Sequence, residues 1–593
     1  MRAFFRIFSP YTLISSGLIL VAMLLRLLLV IYGWQSIDSD EGTMGIMALH
    51  VAYKGAHPLL FYGQDYMGTL QAYLAAGLFR LFGPSVITLR FTTILLYGIF
   101  LLALYALLCL LYTNTFAFFS LLFFIGGSEE LLFRQLDTAG GAPDVALFAV
   151  LVFLYTIWLI RLEKRRSSLL YALWGFLTGL AIWADPLVLP FVGMATLLLF
   201  FFCRKEIKGA ALFWLFVGLL IGLAPQIYDK VMIPPSSERL TLIGPGYREP
   251  VYNIHPSTAH RPPSGAAPTT LNLPMPLAQI AGSVLVSLPI ATGANALCPL
   301  TPRLAWPIHL DSYTLTCTGL HGLWGAGYIF LLGIALYQSG RAFFTGWRKQ
   351  PNASKERNFL LRQAGRFAFL GSIGGTIVLY TLFPQAAQTP WPSSRYLVGA
   401  FVGMTAVLFP LWKQIRRPQN IQAFCFTALL LLPLTAPAIG YVNTLQQLPA
   451  KQQQAANQHM LIETLLKMQV TRFYTDYWTC NSLIFLSTER LICTVLDNGL
   501  NLGLNRYPPY KEEVARAQTV GYVFPENSMQ DQLLRTKLEQ QHVPYSRVSA
   551  SGFAIYRLEY GTRLTGLHRL PEYLTQLITY ELPVSAGRDR IRG

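Results

Sequence analysis

The sequence predicts a polytopic α-helical membrane protein of about eleven spans that carries a small α/β domain at its C-terminal end. Three observations predict it. Of 593 residues, 53% are hydrophobic and only 13% charged, about half the charged share of an average soluble domain. Several stretches of about 18 or more residues carry no charge, and at about 1.5 Å per helical residue each can cross roughly 30 Å of hydrocarbon. After residue 442 the composition turns polar, and short apolar runs alternate with amphipathic ones, as in a folded unit of strands and helices. A soluble multidomain enzyme, a disordered chain and a disulfide-rich secreted module are excluded.

Hydropathy puts the spans at 11–34, 85–111, 115–128, 143–160, 169–185, 187–203, 210–228, 318–338, 366–384, 395–412 and 421–441. With the N-terminus in the cytoplasm, the basic clusters Arg2/Arg6, Arg161/Lys164/Arg165/Arg166, Arg204/Lys205/Lys208, Arg341 to Arg366 and Lys413/Arg416/Arg417 all fall on the cytoplasmic side. They amount to about nineteen Lys and Arg against about three acids, the bias of the positive-inside rule. The net charge of +17 is therefore a topology signal, and nucleic acid is discarded as a partner. Met1 to Gln35 has too long an apolar run for a signal peptide, with no small-residue cleavage site behind it, and reads as the first span. The chain belongs in the plasma membrane as a multi-pass protein.

An odd number of spans leaves the loops 35–84, 129–142, 229–317 and 385–394 outside the cytoplasm, together with everything after about 442. The domain organisation is thus 1–442 in the membrane and 443–593 as an extracytoplasmic α/β domain. The apolar run 277–293, broken by Pro289 and preceded by Pro274 and Pro276, would put 341–366 on the wrong side if it spanned, so it reads as an interfacial or re-entrant helix. Cysteine use agrees with the orientation. Cys109 and Cys425 fall inside spans and Cys203 at a cytoplasmic edge. Cys298/Cys317 and Cys480/Cys493 fall in outer segments as two close pairs, where disulfides persist; four buried thiols are the competing account.

The C-terminal tail reads as a helix at 447–468, strands at Val470–Tyr474 and Leu491–Leu496, a helix at 510–518, a strand at Val520–Phe524, a helix at 528–542 and a strand at Phe553–Leu558. Such alternation implies a mostly parallel sheet. No Gly-rich phosphate loop accompanies it, so nothing supports nucleotide binding.

Chemistry concentrates in the first outer loop. Asp38, Asp40 and Glu41 stand where an extended segment becomes an amphipathic helix, about one turn from the membrane surface. One account is helix capping, with Ser39 or Asp40 accepting backbone N–H groups. The other starts from the second amphipathic stretch, Asp65 to Leu81, which returns acid, tyrosine and glutamine side chains to the same membrane face. Two short interfacial helices would frame a cavity with acids at its rim, where an apolar boundary favours a proton-accepting carboxylate.

The first loop runs Asp40-Glu41, then Ala48-Leu49-His50-Val51, His57-Pro58, Phe61-Tyr62-Gly63-Gln64 with Tyr66-Met67-Gly68, and Gly83-Pro84-Ser85 before the second span. This order resembles the first outer loop of GT-C fold membrane glycosyltransferases, in particular the protein O-mannosyltransferase and aminoarabinose transferase superfamily with its bacterial dolichyl-phosphate-mannose-type enzymes. The resemblance covers roughly residues 10–230 and returns at Ser394-Arg395-Tyr396-Leu397; the pattern from Tyr474 to Arg490 is similar to outer C-terminal domains of bacterial members. It implies a GT-C fold, a polyprenyl-phosphate sugar donor in the cell envelope, and Asp40 as catalytic base with Glu41 beside it. Tyr62, Gln64 and Tyr66 become candidates for substrate contact.

In the second outer loop the resemblance favours Asp144 as a substrate-binding acid, with Asp137 the competitor. The loop departs from the family pattern, with Gly140-Gly141-Ala142-Pro143 before Asp144 where many relatives carry an Arg-rich run; a plain helix start at Pro143 is the alternative. A lipid phosphate calls for fixed cations at the outer ends of spans. Arg90 and Arg395 qualify, with Tyr396 beside the second, although Arg at such depths also snorkels to headgroups. Arg26 lies deeper and needs a partner inside the bundle. His50, His57 and His255 have no metal spacing.

The function these residues point to is inverting transfer of a hexosyl or pentosyl group to an acceptor hydroxyl of a glycan, lipid or protein at the extracytoplasmic face. No cofactor is demanded; the acidic loop offers room for a divalent cation, Mg or Mn, near Asp40 and Glu41. A transporter or flippase of lipid-linked sugars is the alternative, predicting ionisable residues along a midplane pathway and matching broken spans in two halves. A non-catalytic envelope scaffold comes third.

Overall fold

A computed structural model describes residues 10–162, 167–232, 273–300, 312–349, 354–415 and 421–558. Arg2, Arg6, Lys164, Arg165, Arg166, His255, Arg416, Arg417 and most of the 229–317 loop lie outside the described residues. The chain divides into two compact units, Met1–Ser36 with Met47–Gln452, and Ile37–Ile46 with Gln453–Gly593.

The helices begin with α1 (Pro10–Ile31), α2 (Ser39–Tyr53), α3 (Leu70–Phe82), α4 (Val86–Leu111), α5 (Asn114–Leu121), α6 (Glu129–Leu136) and α7 (Ala142–Arg161). They continue through α8 (Ser168–Ala184), α9 (Leu189–Cys203), α10 (Ala210–Met232), α11 (Met275–Gly282) and α12 (Leu288–Ala291). The remainder up to the polar tail are α13 (Ser312–Arg348), α14 (Ser354–Leu382), α15 (Gln385–Gln388), α16 (Pro390–Ser393), α17 (Val398–Ile415) and α18 (Ile421–Gln446). Among the described residues nine helices are long and apolar enough to cross a membrane. The chain is a polytopic membrane protein.

One of the expected eleven spans takes another form. The stretch 169–185 is a helix as expected, α8, whose 17 residues stop at Asp185, because Pro186 disfavours helical backbone at the residue before it. The stretch 115–128 does not run straight: Asn114–Phe124 and Glu129–Leu136 meet at 95°. Gly126 and Gly127 lie in the break, where helix propensity is poorest, and the turn strands backbone carbonyls that hydrocarbon cannot satisfy.

Arg26 answers those carbonyls. It is fully buried and donates to the carbonyls of Ile125 at 2.9 Å, Phe124 at 3.2 Å and Gly126 at 3.2 Å. The same guanidinium bonds Gln135 Oε1 through Nε at 2.9 Å and the Tyr97 hydroxyl at 3.0 Å. A cation deep in a span is tolerated when its donors are satisfied inside the bundle, and here they hold the bend.

Elsewhere the first unit packs through small residues and rings. α8 crosses α10 with Gly175 and Gly179 facing Gly218 and Gly222, so close that an added Cβ would meet the backbone of Leu215, Leu219, Ala172 or Phe176. This small-xxx-small pattern lets helix backbones approach where lipid supplies no hydrophobic drive. Phe153, Phe191 and Phe369 from α7, α9 and α14 meet edge to face, with Phe153 and Phe369 centroids 5.2 Å apart. Phe213, Phe216, Leu220 and Ile221 of α10 are exposed, as a lipid-facing surface requires. The expected interfacial or re-entrant stretch 277–293 is a broken apolar helix, α11 and α12 joined by a π turn over Ser283–Ser287, and its Gly282 abuts the carbonyl of Ala386.

Of the two short helices expected at the membrane interface, α3 is amphipathic, burying Gln71, Ala72, Ala75, Ala76 and Phe79 and exposing Leu74, Leu81 and Phe82. α2 differs. Glu41 through His50 are all buried, so this helix has no lipid-facing stripe.

The second unit contains most of α19 (Leu448–Lys467) and then β1 (Arg472–Thr475), α20 (Tyr477–Leu486), β2 (Ile492–Val495), α21 (Pro508–Arg516), β3 (Gly521–Pro525), α22 (Met529–Gln540), β4 (Tyr545–Ala550) and β5 (Phe553–Leu558). The sheet order is β2-β1-β3-β5-β4. β1 pairs in parallel with β2 and β3, while β3–β5 and β5–β4 are antiparallel. The mostly parallel sheet expected from the sequence is therefore mixed. The unexpected β4 forms a hairpin with β5 through Ser551 and Gly552, both at positive φ (53° and 81°), the backbone that tight hairpins favour. Cys480 of α20 is bonded to Cys493 of β2, and in the first unit Cys298 to Cys317.

Candidate functional site

In the second unit the segment Ile37–Ile46 packs on α20. Gly42 lies against the backbone of Asn481 and Ser482, and Gly45 against the Phe485 ring, with no room for a Cβ at either. Asn481 Nδ2 donates to Thr43 Oγ1 at 2.9 Å, and the Ile37 carbonyl accepts from Gln458 at 3.2 Å. The cap of α2 is Asp38, whose Oδ1 accepts the Glu41 N–H at 2.9 Å. Neither Ser39 nor Asp40, the residues expected to cap, makes that bond. Glu41 is fully buried.

Asp40 meets a cation and a phenol. Arg506 Nη2 donates to Asp40 Oδ1 at 2.7 Å, the Tyr477 hydroxyl donates to the same oxygen, and Arg506 Nε donates to the Tyr477 oxygen at 2.8 Å. The Arg506 side chain is 5% exposed and that of Asp40 22%. Burial alone would lower the Arg506 pKa, but Tyr477 and Asp40 outweigh it and hold the guanidinium above its ordinary value. Asp40 is thus a carboxylate held by two donors, a guanidinium and a phenol. Nothing in the local sequence around Arg506 announces this; it lies 466 positions from Asp40.

In the first unit a row of charges crosses between helices. Glu130 on α6 accepts from the Asn295 amide and interacts with Arg134 one turn on. Arg134 Nη2 donates to Ser394 Oγ at 2.6 Å and is close enough to Arg395 for the two guanidiniums to repel. Arg395 in turn attracts Asp185, and Asp185 repels Asp144. Asp144, on the first turn of α7, is buried and interacts with Gln71, whose Oε1 accepts the Gly140 N–H at 3.0 Å. Asp185 Oδ1 accepts the Leu187 N–H at 2.8 Å, starting the turn into α9. Arg134 also lines an apolar cavity among the spans with Phe100, Leu131, Ala146, Val398 and Phe401.

This row unites three residues that sequence reasoning passed over, Glu130, Arg134 and Asp185, with two that it named, Arg395 and Asp144. Tyr396 receives a bond from Arg395 Nη2 at 3.2 Å. Asp137, the competitor of Asp144, ends α6 as its C-cap. Arg90 sits elsewhere in the unit: it is buried and donates to the carbonyls of Gln35 at 2.8 Å and Trp34 at 3.2 Å, bracing the end of α1. Tyr62 shares a hydrogen bond with His50 Nδ1 at 3.0 Å. Gln64 is buried in the same turn with its N–H on the Phe61 carbonyl at 2.9 Å, Asp65 pairs with Lys230 at 3.0 Å, and Tyr66 is half-buried beside them.

For a divalent cation at Asp40 and Glu41 the donor set does not fit. A hard cation needs several oxygen ligands, whereas Asp40 Oδ1 already accepts from a guanidinium and a phenol. Among the described residues no three His, Cys, Asp or Glu side chains converge as a metal site would require.

No family model matches the chain, and no curated protein does. Among solved structures the chain is similar to the Archaeoglobus fulgidus oligosaccharyltransferase in its apo form, at 14% identity over 87% of this chain and 70% of that one, with a TM-score of 0.41. It is also similar to ArnT from Cupriavidus metallidurans in the apo state, at 12% identity over 93% and 98% of the two chains and a TM-score of 0.41. ArnT bound to undecaprenyl phosphate is similar at 12% identity over 95% and 99%, again at 0.41.

Proposed function

We propose that this protein is a membrane glycosyltransferase of the GT-C type that moves a sugar from a polyprenyl-phosphate-linked donor to an acceptor hydroxyl at the extracytoplasmic face. The observation that carries the reading is the 2.6 Å bond from Arg134 to Ser394, which sets one guanidinium beside the residue that precedes Arg395, with apolar side chains of three spans lining the space at Arg134. Two adjacent cations repel, and an anion bound to both removes that cost; Arg can clamp phosphate oxygens with two parallel bonds. The apolar lining next to Arg134 suits the boundary between a phosphate head and a hydrocarbon tail.

In the reaction, the acceptor oxygen attacks the anomeric carbon from the face opposite the phosphate. The bond from that carbon to the phosphate oxygen breaks, its electron pair leaving on polyprenyl phosphate, and the hydroxyl proton passes to Asp40. One displacement inverts the anomeric centre. Arg395, with Arg134, would stabilise charge growing on the leaving phosphate. Asp144 and Asp185 are the acids available to sugar hydroxyls, and the Tyr62 to Tyr66 turn contributes hydrogen-bonding groups. No nucleotide or metal enters any step. The orientation, with the N-terminus cytoplasmic and 443–593 extracytoplasmic, rests on the basic clusters of the sequence.

The test is sugar transfer from radiolabelled polyprenyl-phosphate-linked hexoses and pentoses in membranes carrying wild type or Asp40→Asn. Loss of transfer by about 10²-fold or more with equal protein supports base catalysis; unchanged transfer removes Asp40 from the chemistry. Label that changes leaflet with no sugar released would make the protein a transporter instead.

A further inference from the structure

We propose that Arg506 and Tyr477 are positioning residues for Asp40, fixing the orientation in which its carboxylate takes the acceptor proton; this rests on the reading of Asp40 as the base. The three groups close a triangle: both donors end on Asp40 Oδ1, and Arg506 Nε binds the Tyr477 oxygen at 2.8 Å. Rotating the carboxylate breaks two bonds together. A base on the first turn of a helix otherwise has two free torsions, and a reacting group misplaced by about 1 Å can cost about 10²-fold in rate.

Each donor is itself anchored. Tyr477 opens α20, whose cap Asp476 accepts the N–H groups of Trp478 and Thr479 at 2.9 and 3.1 Å and the Thr479 hydroxyl at 2.7 Å. The Cys480–Cys493 bond ties α20 to β2. Arg506 follows Asn505, whose Oδ1 accepts the Val495 N–H at 2.9 Å and whose amide donates to the Gly503 carbonyl at 3.0 Å. Asp40 stands between Asp38, which caps α2, and Gly42, seated on the Asn481 backbone. Rigid supports on both sides of an ion pair are what a catalytic carboxylate needs to keep one orientation.

The experiment measures kcat and the donor KM separately, in membranes carrying the full chain, with the same radiolabelled polyprenyl-phosphate sugars. Arg506→Met lowers kcat by about 10- to 100-fold, with donor KM within about twofold of wild type, as loss of a transition-state contribution requires. Arg506→Lys recovers part of the loss, and Tyr477→Phe, which deletes one oxygen, lowers kcat by roughly threefold or more. If Arg506→Met fails to accumulate, Arg506→Lys and Tyr477→Phe decide. Unchanged kcat in both, with Asp40→Asn inactive, overturns the positioning role and leaves the base intact. An active Asp40→Asn overturns the base reading, and this proposal with it.

Discussion

Asp38 accepts the backbone N–H of Glu41 at 2.9 Å, so the Glu41 N–H is capped by Asp38 and not by Asp40. Two residues apart in the sequence, the acids divide into one that starts the helix and one turned to a guanidinium. Asp38→Ala should therefore cost about 1 kcal/mol of stability, the usual worth of an N-cap, and Asp38→Asn much less. Thermal unfolding in detergent reads the cost. Sugar transfer by Asp38→Asn should stay near wild type while Asp40→Asn loses it, and equal loss in both would mean the division of labour is wrong.

Arg395→Gln should raise the donor KM by about tenfold, the effect of losing roughly 1.4 kcal/mol of binding. Arg395→Lys should recover little, because an ammonium cannot form the two parallel bonds of a guanidinium. Arg134→Gln should do the same, and the double variant should fall short of the product of the two, since both act on one ligand. Titrating donor concentration in the transfer assay reads all three. An Arg134 variant with normal KM would confine the phosphate role to Arg395.

The crossing of α8 and α10 should tolerate no side chain at its centre. Gly175→Leu or Gly218→Leu should abolish accumulation of folded protein, because a Cβ at either meets the backbone of the facing helix. Gly193→Leu in α9, with nothing within 4 Å of its Cβ, is the control and should accumulate normally. Quantitative immunoblots of membranes distinguish the two outcomes.

Replacing Cys480 and Cys493 by Ala should destabilise the second unit by about 3 kcal/mol, the typical worth of a short closed loop. Alkylation of the unfolded, non-reduced protein followed by mass spectrometry should leave Cys298, Cys317, Cys480 and Cys493 unmodified and label Cys109 and Cys203. Labelling of the first four without reductant would exclude the bonds.

How much of this could be read from the chain depends on whether the signal is local. The spans are local: about 18 apolar residues in a row have few alternatives to crossing hydrocarbon. The exceptions are informative, since the Gly126-Gly127 break is visible in the sequence but the Arg26 guanidinium that makes its 95° bend affordable comes from about a hundred residues earlier. Asp144 could be named from the resemblance, which expects an acid at the mouth of that span. Asp185 could not, because an acid before Pro186 looks like an ordinary helix end, and its relation to Arg395 exists only once α8, α9 and α17 are packed. Arg134 passed as one charge in an acidic loop. β4 was invisible for a different reason: as an edge strand it buries little, so Tyr545-Ser546-Arg547-Val548 carries no hydrophobic alternation to read.

The membership of Ile37–Ile46 in the second unit bears on how the protein is made. The ribosome delivers this decapeptide first and must translate some four hundred further residues before α20 and Arg506 exist to receive it. Until then a glycine-bearing segment tethered to the earliest helix waits for the face of α20 that has not yet been synthesised. A tail fragment beginning at residue 453 would be born with a missing rib, and a synthetic peptide spanning 37–46, added in trans, should complete it.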